Sequence, residues 1–238
     1  MIEEGTPAHV GIIMDGNGRW ARARGLKRIE GHRAAEKSIH EAVEYCGQLG
    51  VEFLTLYAFS TENWKRPRAE VAFIMGLLKS FIRRNIDELD GKDVRILATG
   101  RLEDLPEGPL NKLREAMSRT SSNGGLNLVL ALSYGGRAEI VDSVRAIAAM
   151  VKRGELQPQN VSEETIASNL YLPDVPDPDL IIRTSGEQRL SNFLLWESAY
   201  SEFYFTDVLW PDFRREHLKQ ALMEYRSRRR RFGAVENS

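Results

Sequence analysis

A turn rich in anion-binding residue types follows the first apolar run of the chain. That run is His9–Met14, and the next six residues, Asp15 to Trp20, read DGNGRW. The two glycines can present backbone N–H groups to an anion, while Asn17 and Arg19 add side-chain donors. A carboxylate at Asp15 could hold Mg²⁺ against a diphosphate. The alternative is an ordinary glycine-rich turn, which leaves those three polar side chains unexplained. The glycine spacings of P-loops and dinucleotide-binding turns are absent.

A second polar segment, STENWKRP at residues 60–67, follows the apolar run Phe53–Phe59. It combines hydroxyl, carboxylate, amide and cationic side chains within one short stretch. The pattern leaves two interpretations equally open. The segment is part of a polar site, or it is the first turn of the next helix, with Glu62 and Asn63 as capping residues.

A third polar segment, RTSGEQRLSN at residues 183–192, follows the apolar run Leu180–Ile182. Its two arginines flank a Ser-Gly turn, and arginine binds phosphate oxygens in pairs while serine hydroxyls can complete the shell. The alternative is surface ion pairing through Glu187. Glu202 precedes the next aromatic run, where a lone carboxylate is normally a solvated residue at a strand edge.

Short apolar runs alternate along the chain with longer segments of helical period. The runs have the composition of buried strands, and they predict strands at His9–Met14, Phe53–Phe59, Val94–Ala98, Leu126–Leu132, Leu180–Ile182 and Phe203–Phe205. Helices are predicted over Ala35–Leu49, Ile140–Val151 and Leu218–Tyr225. This alternation predicts an α/β fold with a mostly parallel six-stranded sheet surrounded by helices. Sites in such folds lie beyond the carboxyl ends of the strands, where the three polar segments begin.

The segment Phe73–Ile82 (FIMGLLKSFI) is an unusual predicted helix, because seven of its ten residues are large and apolar. A helix that is apolar around most of its circumference is buried in a core or lines an apolar cavity. The pattern alone favours the core. A cavity wall, taken with two anion sites and a metal carboxylate, would suit a substrate with a diphosphate head and a hydrocarbon tail.

The composition excludes several classes of protein. The chain has 238 residues, a net charge of -1 and one cysteine. One cysteine excludes an intrachain disulfide and a Cys-cluster zinc site, and it fits a reducing cytoplasm. Near-zero charge argues against a dedicated nucleic-acid binder, although a basic run lies at residues 226–231. No apolar run approaches the ~18 residues of a membrane span.

No linker long enough to divide the chain is apparent in the sequence. We therefore expect a single catalytic domain over residues 1–238, with residues 1–8 and 234–238 flexible. The acidic first residues lack the basic and apolar regions of a signal peptide. The expected location is cytoplasmic.

These motifs resemble the cis-prenyltransferases, and most closely the bacterial undecaprenyl diphosphate synthases. The matching segments span residues 9–233 and are HVGIIMDGNGRWA (9–21), GH (31–32), FSTENWKRP (59–67), SYGGR (133–137) and the long block 179–213. The resemblance implies a homodimeric, Mg²⁺-dependent enzyme with a hydrophobic tunnel between the sheet and the helices. Such enzymes condense isopentenyl diphosphate onto an allylic diphosphate such as farnesyl diphosphate, and each added unit carries a Z double bond.

The resemblance also implies roles for individual residues. Asp15 is the essential aspartate and holds Mg²⁺ with Glu202. Asn63 is the position assigned to proton removal, although a neutral amide is a poor base and a diphosphate oxygen is the alternative. The allylic diphosphate would be bound by Gly16, Asn17, Gly18, Arg19, Arg28 and His32, with Arg66 nearby. The substrate site would be lined by Trp20, Ser60, Thr61, Glu62 and Trp64. Isopentenyl diphosphate would be bound by Arg183, Arg189, Leu190 and Ser191. Ser185 stands where many members have glycine, with no loss of function expected.

The resemblance assigns Phe73–Ile82 to the tunnel wall and Leu126 to the tunnel floor. It implies a C55 product, the precursor of the cell-wall lipid carrier, with a shorter or different chain length as the alternative. Arg231 and Gly233 match a tail that reaches the partner subunit's active site, so truncation before Arg231 should reduce turnover more than stability. A non-catalytic diphosphate-binding module, the alternative from another class, would keep the arginine loops but would need neither Asp15 nor Glu202. Because the product is a lipid, we expect at most peripheral membrane contact and no nucleic-acid partner.

Overall fold

A six-stranded parallel sheet forms the centre of the molecule in the computed structural model, which describes residues 5–228. The expectations for residues 1–4, Arg231, Gly233 and residues 234–238 lie outside this range. The strands run in the order β3-β4-β2-β1-β5-β6, and every pairing among them is parallel. They are β1 His9–Ile13, β2 Phe53–Ser60, β3 Arg95–Thr99, β4 Asn127–Tyr134, β5 Leu180–Arg183 and β6 Glu202–Phe205. The sequence-based prediction of the sheet is confirmed.

Seven α-helices connect and cover the strands within the described part of the chain. They are α1 Asn17–Ala23, α2 Arg28–Leu49, α3 Arg68–Gly91, α4 Glu107–Arg119, α5 Gly136–Lys152, α6 Glu163–Ala167 and α7 Arg215–Ser227. The helical periods in α2, α5 and α7 are therefore confirmed. Gly50 ends α2 in the left-handed conformation, at a φ of 75°, which only glycine adopts without strain. None of the described helices is long and apolar enough to cross a bilayer.

Alternate residues of the strands build two cores, one on each face of the sheet. On one face, side chains such as Ile12 and Leu56 pack against α2, α3, α4 and α7. On the other face, Tyr134, Ile181 and Phe193 form a smaller core, and Tyr134 donates a hydrogen bond to Glu139 of α5. Because all six strands are parallel, the residues after β1, β2 and β5 meet at one edge of the sheet.

A buried carboxyl pair, Glu139 and Glu197, lies on the α5 face. Glu139 is only 2% exposed and accepts hydrogen bonds from the Tyr134 hydroxyl and from the Tyr171 N–H, the latter at 3.0 Å. Burial, and then the neighbouring Glu139 carboxyl, raise the pKa of Glu197 to about 8. Burial also raises the pKa of Glu139. The pair therefore retains a proton at neutral pH.

This proton should make stability depend on pH. Between the ordinary pKa of 4.5 and about 8, the folded state holds a proton on Glu197 that the unfolded state has lost. The free energy of unfolding should therefore fall as the pH rises through that window and level out above it. We expect Glu197→Gln to flatten this slope in urea denaturation series. Glu155→Gln, at an exposed ion pair with Arg153, should keep the pH dependence of the unmodified protein. An unchanged pH dependence in Glu197→Gln would show that Glu197 does not hold the proton.

Candidate active site

Asp15 follows β1, and two hydrogen-bond donors converge on its carboxylate. Arg183, at the end of the adjacent β5, donates to Oδ2 at 3.0 Å, and the Gly16 N–H donates to Oδ1 at 2.6 Å. Burial acts to raise the pKa of this carboxyl, but the hydrogen bonds from Arg183 and Gly16 outweigh it and leave the pKa below its ordinary value. Asp15 is therefore ionised at neutral pH, as a metal ligand must be.

Two glycines fix the turn after Asp15 against its surroundings. Gly16 has a φ of 105°, and a Cβ there would lie 2.9 Å from the Leu209 side chain. Gly31 of α2 approaches the turn so closely that a Cβ would lie 1.9 Å from the carbonyl oxygen of Asn17. These contacts hold the turn against α2, which carries Arg28 and His32.

Arg19 joins the first polar segment to the third. It donates to the Ser185 carbonyl oxygen at 2.8 Å and to the Ser185 hydroxyl, and it forms an ion pair with Glu187 at 3.2 Å. Glu187 also pairs with Arg189. Ser185 has a φ of 81°, a conformation that favours glycine. The hydrogen bond from Arg19 to the Ser185 hydroxyl stabilises serine in this conformation. This contact is a physical reason to expect that serine in place of glycine causes no loss of function.

Arg183 organises the floor of the polar site. Arg183 is only 4% exposed. Besides its bond to Asp15, its guanidinium donates hydrogen bonds to the Ser191 hydroxyl at 2.7 Å and to the Arg189 carbonyl oxygen. One cation therefore orients a carboxylate, a hydroxyl and a loop carbonyl together. A cavity of about 500 Å³ opens above it, with Tyr57, Glu62 and Asn63 among the residues on its walls.

Asn192 is a structural organiser that sequence reasoning did not single out. Its carbonyl oxygen and its Oδ1 accept hydrogen bonds from the backbone N–H groups of Gly136 and Arg137, at 2.7 and 2.9 Å. Its Nδ2 donates to Glu62 at 2.8 Å. Asn192 thus ties the third segment to the second and to α5. Asn192 is the last residue of the third polar segment, but the neighbouring sequence contains no signal for these distant partners.

A second cluster of cations lies beside the turn and faces α3. Arg28 and Arg66 both contact Oε1 of Glu70, each at 3.1 Å, and His32 Nε2 lies 3.7 Å from the same oxygen. Asn17 Nδ2 lies 3.5 Å from His32 Nδ1. All of these side chains except Glu70 border a smaller pocket that also includes Asp15. The structure therefore brings together four of the residues predicted to bind the allylic diphosphate.

The segment after β2 combines both interpretations that the sequence left open. Residues Thr61–Lys65 form a 3₁₀ turn, and Asn63 Oδ1 caps it by accepting the Ser60 N–H at 3.2 Å. Asn63 nevertheless borders both polar cavities. With its oxygen engaged in this cap, Asn63 can offer its amide NH₂ to a ligand.

An apolar cavity of about 120 Å³ lies between the sheet and helices α2 and α3. Leu56, Leu130 and Leu132 of the sheet line it, together with Ile74, Met75, Leu77, Leu78 and Phe81 of α3. The α3 residues thus line an apolar cavity where the tunnel wall is expected. Leu126 is buried on the same face, four residues before Leu130 on β4, or roughly 13 Å along the strand. It lies beyond the cavity, towards the other end of the sheet.

Several predicted site residues have partners outside the two polar cavities. Trp20 Nε1 donates to Asp212 at 2.8 Å, and Trp64 Nε1 donates to Ser133 at 2.8 Å. Thr61 is not itself on a cavity wall, but it donates a hydrogen bond at 3.2 Å to its neighbour Glu62, which lines the larger polar cavity. Leu190 packs on the smaller core, and the Arg189 side chain is 59% exposed.

Glu202 lies at the opposite end of the sheet from Asp15. It pairs in register with Leu180, whereas Arg183 at the far end of β5 is the residue that meets Asp15. Three residues of strand separate these levels by about 10 Å. Glu202 instead binds Arg228 at 2.8 Å. Within one chain, the structure does not bring the two predicted metal ligands together.

The donor set at Asp15 fits Mg²⁺ bound jointly with a substrate. Within residues 5–228, no three His, Cys, Asp or Glu side chains converge as a metal site of their own. Mg²⁺ is usually held by one or two carboxylates together with substrate phosphates and water. An ionised Asp15 beside two clusters of phosphate-binding donors supplies that arrangement.

Comparisons with known proteins agree on one family. The family model described as putative undecaprenyl diphosphate synthase matches residues 13–233. An isoprenyl transferase of Heliobacterium mobile is 51% identical, covering 96% of this chain and 88% of the relative. A trans,polycis-polyprenyl diphosphate synthase of Thermobifida fusca, described as (2Z,6E)-farnesyl diphosphate specific, is 53% identical, covering 97% of this chain and 82% of the relative.

Solved structures give the same result. Lavandulyl diphosphate synthase from Lavandula x intermedia, in complex with dimethylallyl diphosphate, superimposes with a TM-score of 0.95 at 40% identity. That match covers 97% of this chain and 100% of the other. A probable undecaprenyl diphosphate synthase from Campylobacter jejuni gives 0.79 at 32% identity, covering 95% and 98%. The chain therefore belongs to the undecaprenyl diphosphate synthase family and is a cis-prenyltransferase enzyme of bacterial type.

Proposed function

We propose that the protein elongates an allylic diphosphate with isopentenyl diphosphate units to a polyprenyl diphosphate of C55 length, starting from farnesyl diphosphate. One observation carries the proposal: two clusters of phosphate-binding donors flank one ionised carboxylate, Asp15, beside an apolar cavity. The Thermobifida fusca relative is named for a farnesyl diphosphate, which supports the starter. The dimethylallyl diphosphate in the lavandulyl synthase supports an allylic diphosphate more generally.

The two clusters would divide the two substrates between them. Arg28, His32 and Arg66 border the smaller polar pocket, and His32 also lines the apolar cavity, so these donors suit the allylic diphosphate whose tail must enter that cavity. Arg183 and Ser191, on the other side of Asp15, suit isopentenyl diphosphate. The two head groups would then lie close enough for their reactive carbons to meet.

In this arrangement, site residues would support each bond change of the condensation. The C1–O bond of the allylic diphosphate breaks, and the electron pair leaves with the diphosphate. The double bond of the isopentenyl unit attacks C1, and loss of a proton from its C2 restores a double bond. Mg²⁺ bound at Asp15 would stabilise the departing negative charge. Arg28 and Arg66 would hold that diphosphate in place.

The proton acceptor is best sought among the diphosphate oxygens. Asn63 Oδ1 already accepts the Ser60 N–H, and a neutral amide is a weak base. We propose that the Asn63 NH₂ donates to a diphosphate oxygen and orients it for proton transfer. After each cycle the lengthened tail moves into the cavity, where burial favours it by about 0.8 kcal/mol per CH₂ group.

A homodimer would complete the metal site. Because Glu202 lies at the wrong end of the sheet for its own Asp15, it could join that carboxylate only from a second copy of the chain. We therefore propose a dimeric cytoplasmic enzyme. Because its product is a lipid and precursor of the cell-wall carrier, contact with the membrane would be peripheral.

An incorporation assay tests the proposed activity directly. The protein is incubated with farnesyl diphosphate, labelled isopentenyl diphosphate and Mg²⁺, and lipid is then extracted into butanol. We expect butanol-soluble label whose dephosphorylated product migrates as a C55 alcohol. Absence of label would favour a non-catalytic diphosphate-binding module, and a different chain length would correct only the product assignment.

Shortening the side chain at Leu126 should lengthen the product. Leu126 is buried at the far end of the tunnel face, so Leu126→Ala would remove the floor that stops growth. We expect a shift to longer chains on thin-layer chromatography. A loss of about 2–5 kcal/mol in stability accompanies such a truncation. Leu113→Ala, in the buried face of α4, should destabilise the protein similarly with no change in product chain length. Longer products from both variants would show that Leu126 does not set the chain length.

A further inference from the structure

A continuous basic segment joins α1 to α2 at the surface of the molecule. Residues 22–28 read RARGLKR, and every one of them is exposed. The segment, which we call the basic turn, has four cations and no carboxylate, although the net charge of the chain is -1. Arg33 adds a fifth cation in the second turn of α2. Positive charge is therefore concentrated on one part of a nearly neutral protein.

Two cations of the basic turn are available to an external anion. The side chains of Arg22 and Lys27 form no ion pair or hydrogen bond with any residue that the structure describes. Arg24 and Arg28, by contrast, each pair with a carboxylate at 3.1 Å. An anionic partner could therefore bind Arg22 and Lys27 without breaking an existing contact, and their positive charge would attract it from a distance.

Leu26 is an exposed apolar side chain in the middle of these cations. Gly25 ends α1 in the left-handed conformation, at a φ of 66°, and the N–H groups of Gly25 and Leu26 donate to the carbonyl oxygens of Arg22 and Ala21 at 3.1 and 2.9 Å. In such a helix end, the residue after the glycine usually packs back on the helix. Leu26 instead remains 45% exposed. A hydrogen-bonded turn thus presents an apolar group between cations.

The basic turn lies on the rim of the candidate active site. A cavity of about 400 Å³ has Arg22, Gly25 and Leu26 on its wall, together with Asp15 and Arg19. A prenyl diphosphate that enters or leaves through this cavity would pass the basic turn. Contact between the rim and a bilayer would shorten the path of its hydrocarbon tail through water, where exposure of apolar surface is unfavourable.

A bilayer that contains anionic lipid matches both features of the basic turn. Anionic head groups attract clusters of lysine and arginine, and the head-group region also accepts an apolar side chain such as Leu26. A nucleic acid would match the cations alone. We propose that the basic turn docks the protein on an anionic bilayer, with Leu26 inserted among the head groups. The inference rests on the proposed function, because a lipid product gives the enzyme its reason to dock.

Sedimentation with sucrose-loaded vesicles tests the docking surface. Phosphatidylcholine vesicles are prepared with and without phosphatidylglycerol, and we expect binding only to the anionic ones, weakened by salt. Each cation near such a surface contributes about fivefold in affinity, so the double variant Arg22→Gln with Lys27→Gln should bind about 25-fold more weakly. Leu26→Ala should bind about fivefold more weakly, because it buries less apolar surface.

Two variants on α5 are matched controls. Arg145→Gln with Arg153→Gln removes the same charge from exposed ion pairs. Val144→Ala shortens an apolar side chain that is 53% exposed. Neither control should change binding to vesicles. Turnover in the absence of vesicles should be the same in all of these proteins, because none of the changed side chains is a predicted substrate ligand.

Each outcome separates the docking surface from the activity. Equal binding to vesicles without phosphatidylglycerol, equal losses in the control variants, or tighter binding to duplex DNA than to anionic vesicles would overturn the inference. An active protein that does not bind anionic vesicles would overturn the inference alone. Vesicle binding through the basic turn by a protein that incorporates no isopentenyl diphosphate would overturn the proposed function and leave only the docking surface.

Discussion

Asp15→Ala should lower turnover by about 10³-fold or more while leaving the fold intact. Asp15 borders both polar cavities, and its ionised carboxylate is the group through which metal charge would reach the departing diphosphate. The variant loses that charge at the point where negative charge builds during the reaction. Its effect should therefore appear in kcat rather than in the KM of either substrate.

Stability measurements distinguish this loss from unfolding. Arg183 keeps its contacts with Ser191 and with the Arg189 carbonyl, but its buried guanidinium loses a carboxylate partner, so the cost in stability should be about 1–3 kcal/mol. Asp90→Asn is a matched control, because Asp90 forms an ion pair with Arg119 at the other end of α3. It should keep full turnover. A fully active Asp15→Ala variant would show that the role assigned to Asp15 is wrong.

Arg183→Lys should lower kcat/KM for isopentenyl diphosphate by about 10²- to 10³-fold, even though it keeps the charge. The guanidinium reaches Asp15, Ser191 and the Arg189 carbonyl at once, and a lysine ammonium cannot span all three. The residue is also almost fully buried, so water cannot replace the lost donors. Steady-state kinetics at varied isopentenyl diphosphate measure the effect.

The pH profile of this variant carries independent information. Hydrogen bonding from Arg183 is the main influence that lowers the pKa of Asp15 against the opposing effect of burial. In Arg183→Lys the Asp15 pKa should rise, and activity should begin to fall at a higher pH on the acid side. Arg189→Lys is the control, because that exposed side chain pairs only with Glu187 in the described structure. Arg189→Lys should affect KM modestly and leave the acid side of the pH profile unchanged. If the acid side is unshifted in Arg183→Lys as well, Arg183 does not control the pKa of Asp15.

Local sequence patterns predicted much of the site because they report local physics. The apolar runs ending at Met14, Phe59 and Ile182 became β1, β2 and β5, and the polar segments after them meet at the carboxyl edge of the sheet. That meeting follows from parallel strands alone. The resemblance to a known family supplied the roles of individual residues, because the spacing of residue types in the sequence does not indicate them.

Side-chain partners were the part that local patterns could not supply. Glu70 had no motif to mark it, yet it binds Arg28, which lies far from it in sequence. Trp20 and Trp64 belong to the motifs, but their indole nitrogens bind Asp212 and Ser133. Such pairs depend on how helices pack, because a side chain's neighbours in space come from distant segments.

The sequence by itself determined that this chain forms a parallel α/β sheet with phosphate-binding turns at one edge and an apolar helix beside it. Hydrophobic period and turn chemistry are local properties, so they can be read residue by residue. Only the tertiary structure decided that β5 lies beside β1, which places Arg183 on Asp15 and leaves Glu202 at the opposite end of the sheet. Strand order is set by the packing of the whole chain, and no local pattern encodes it.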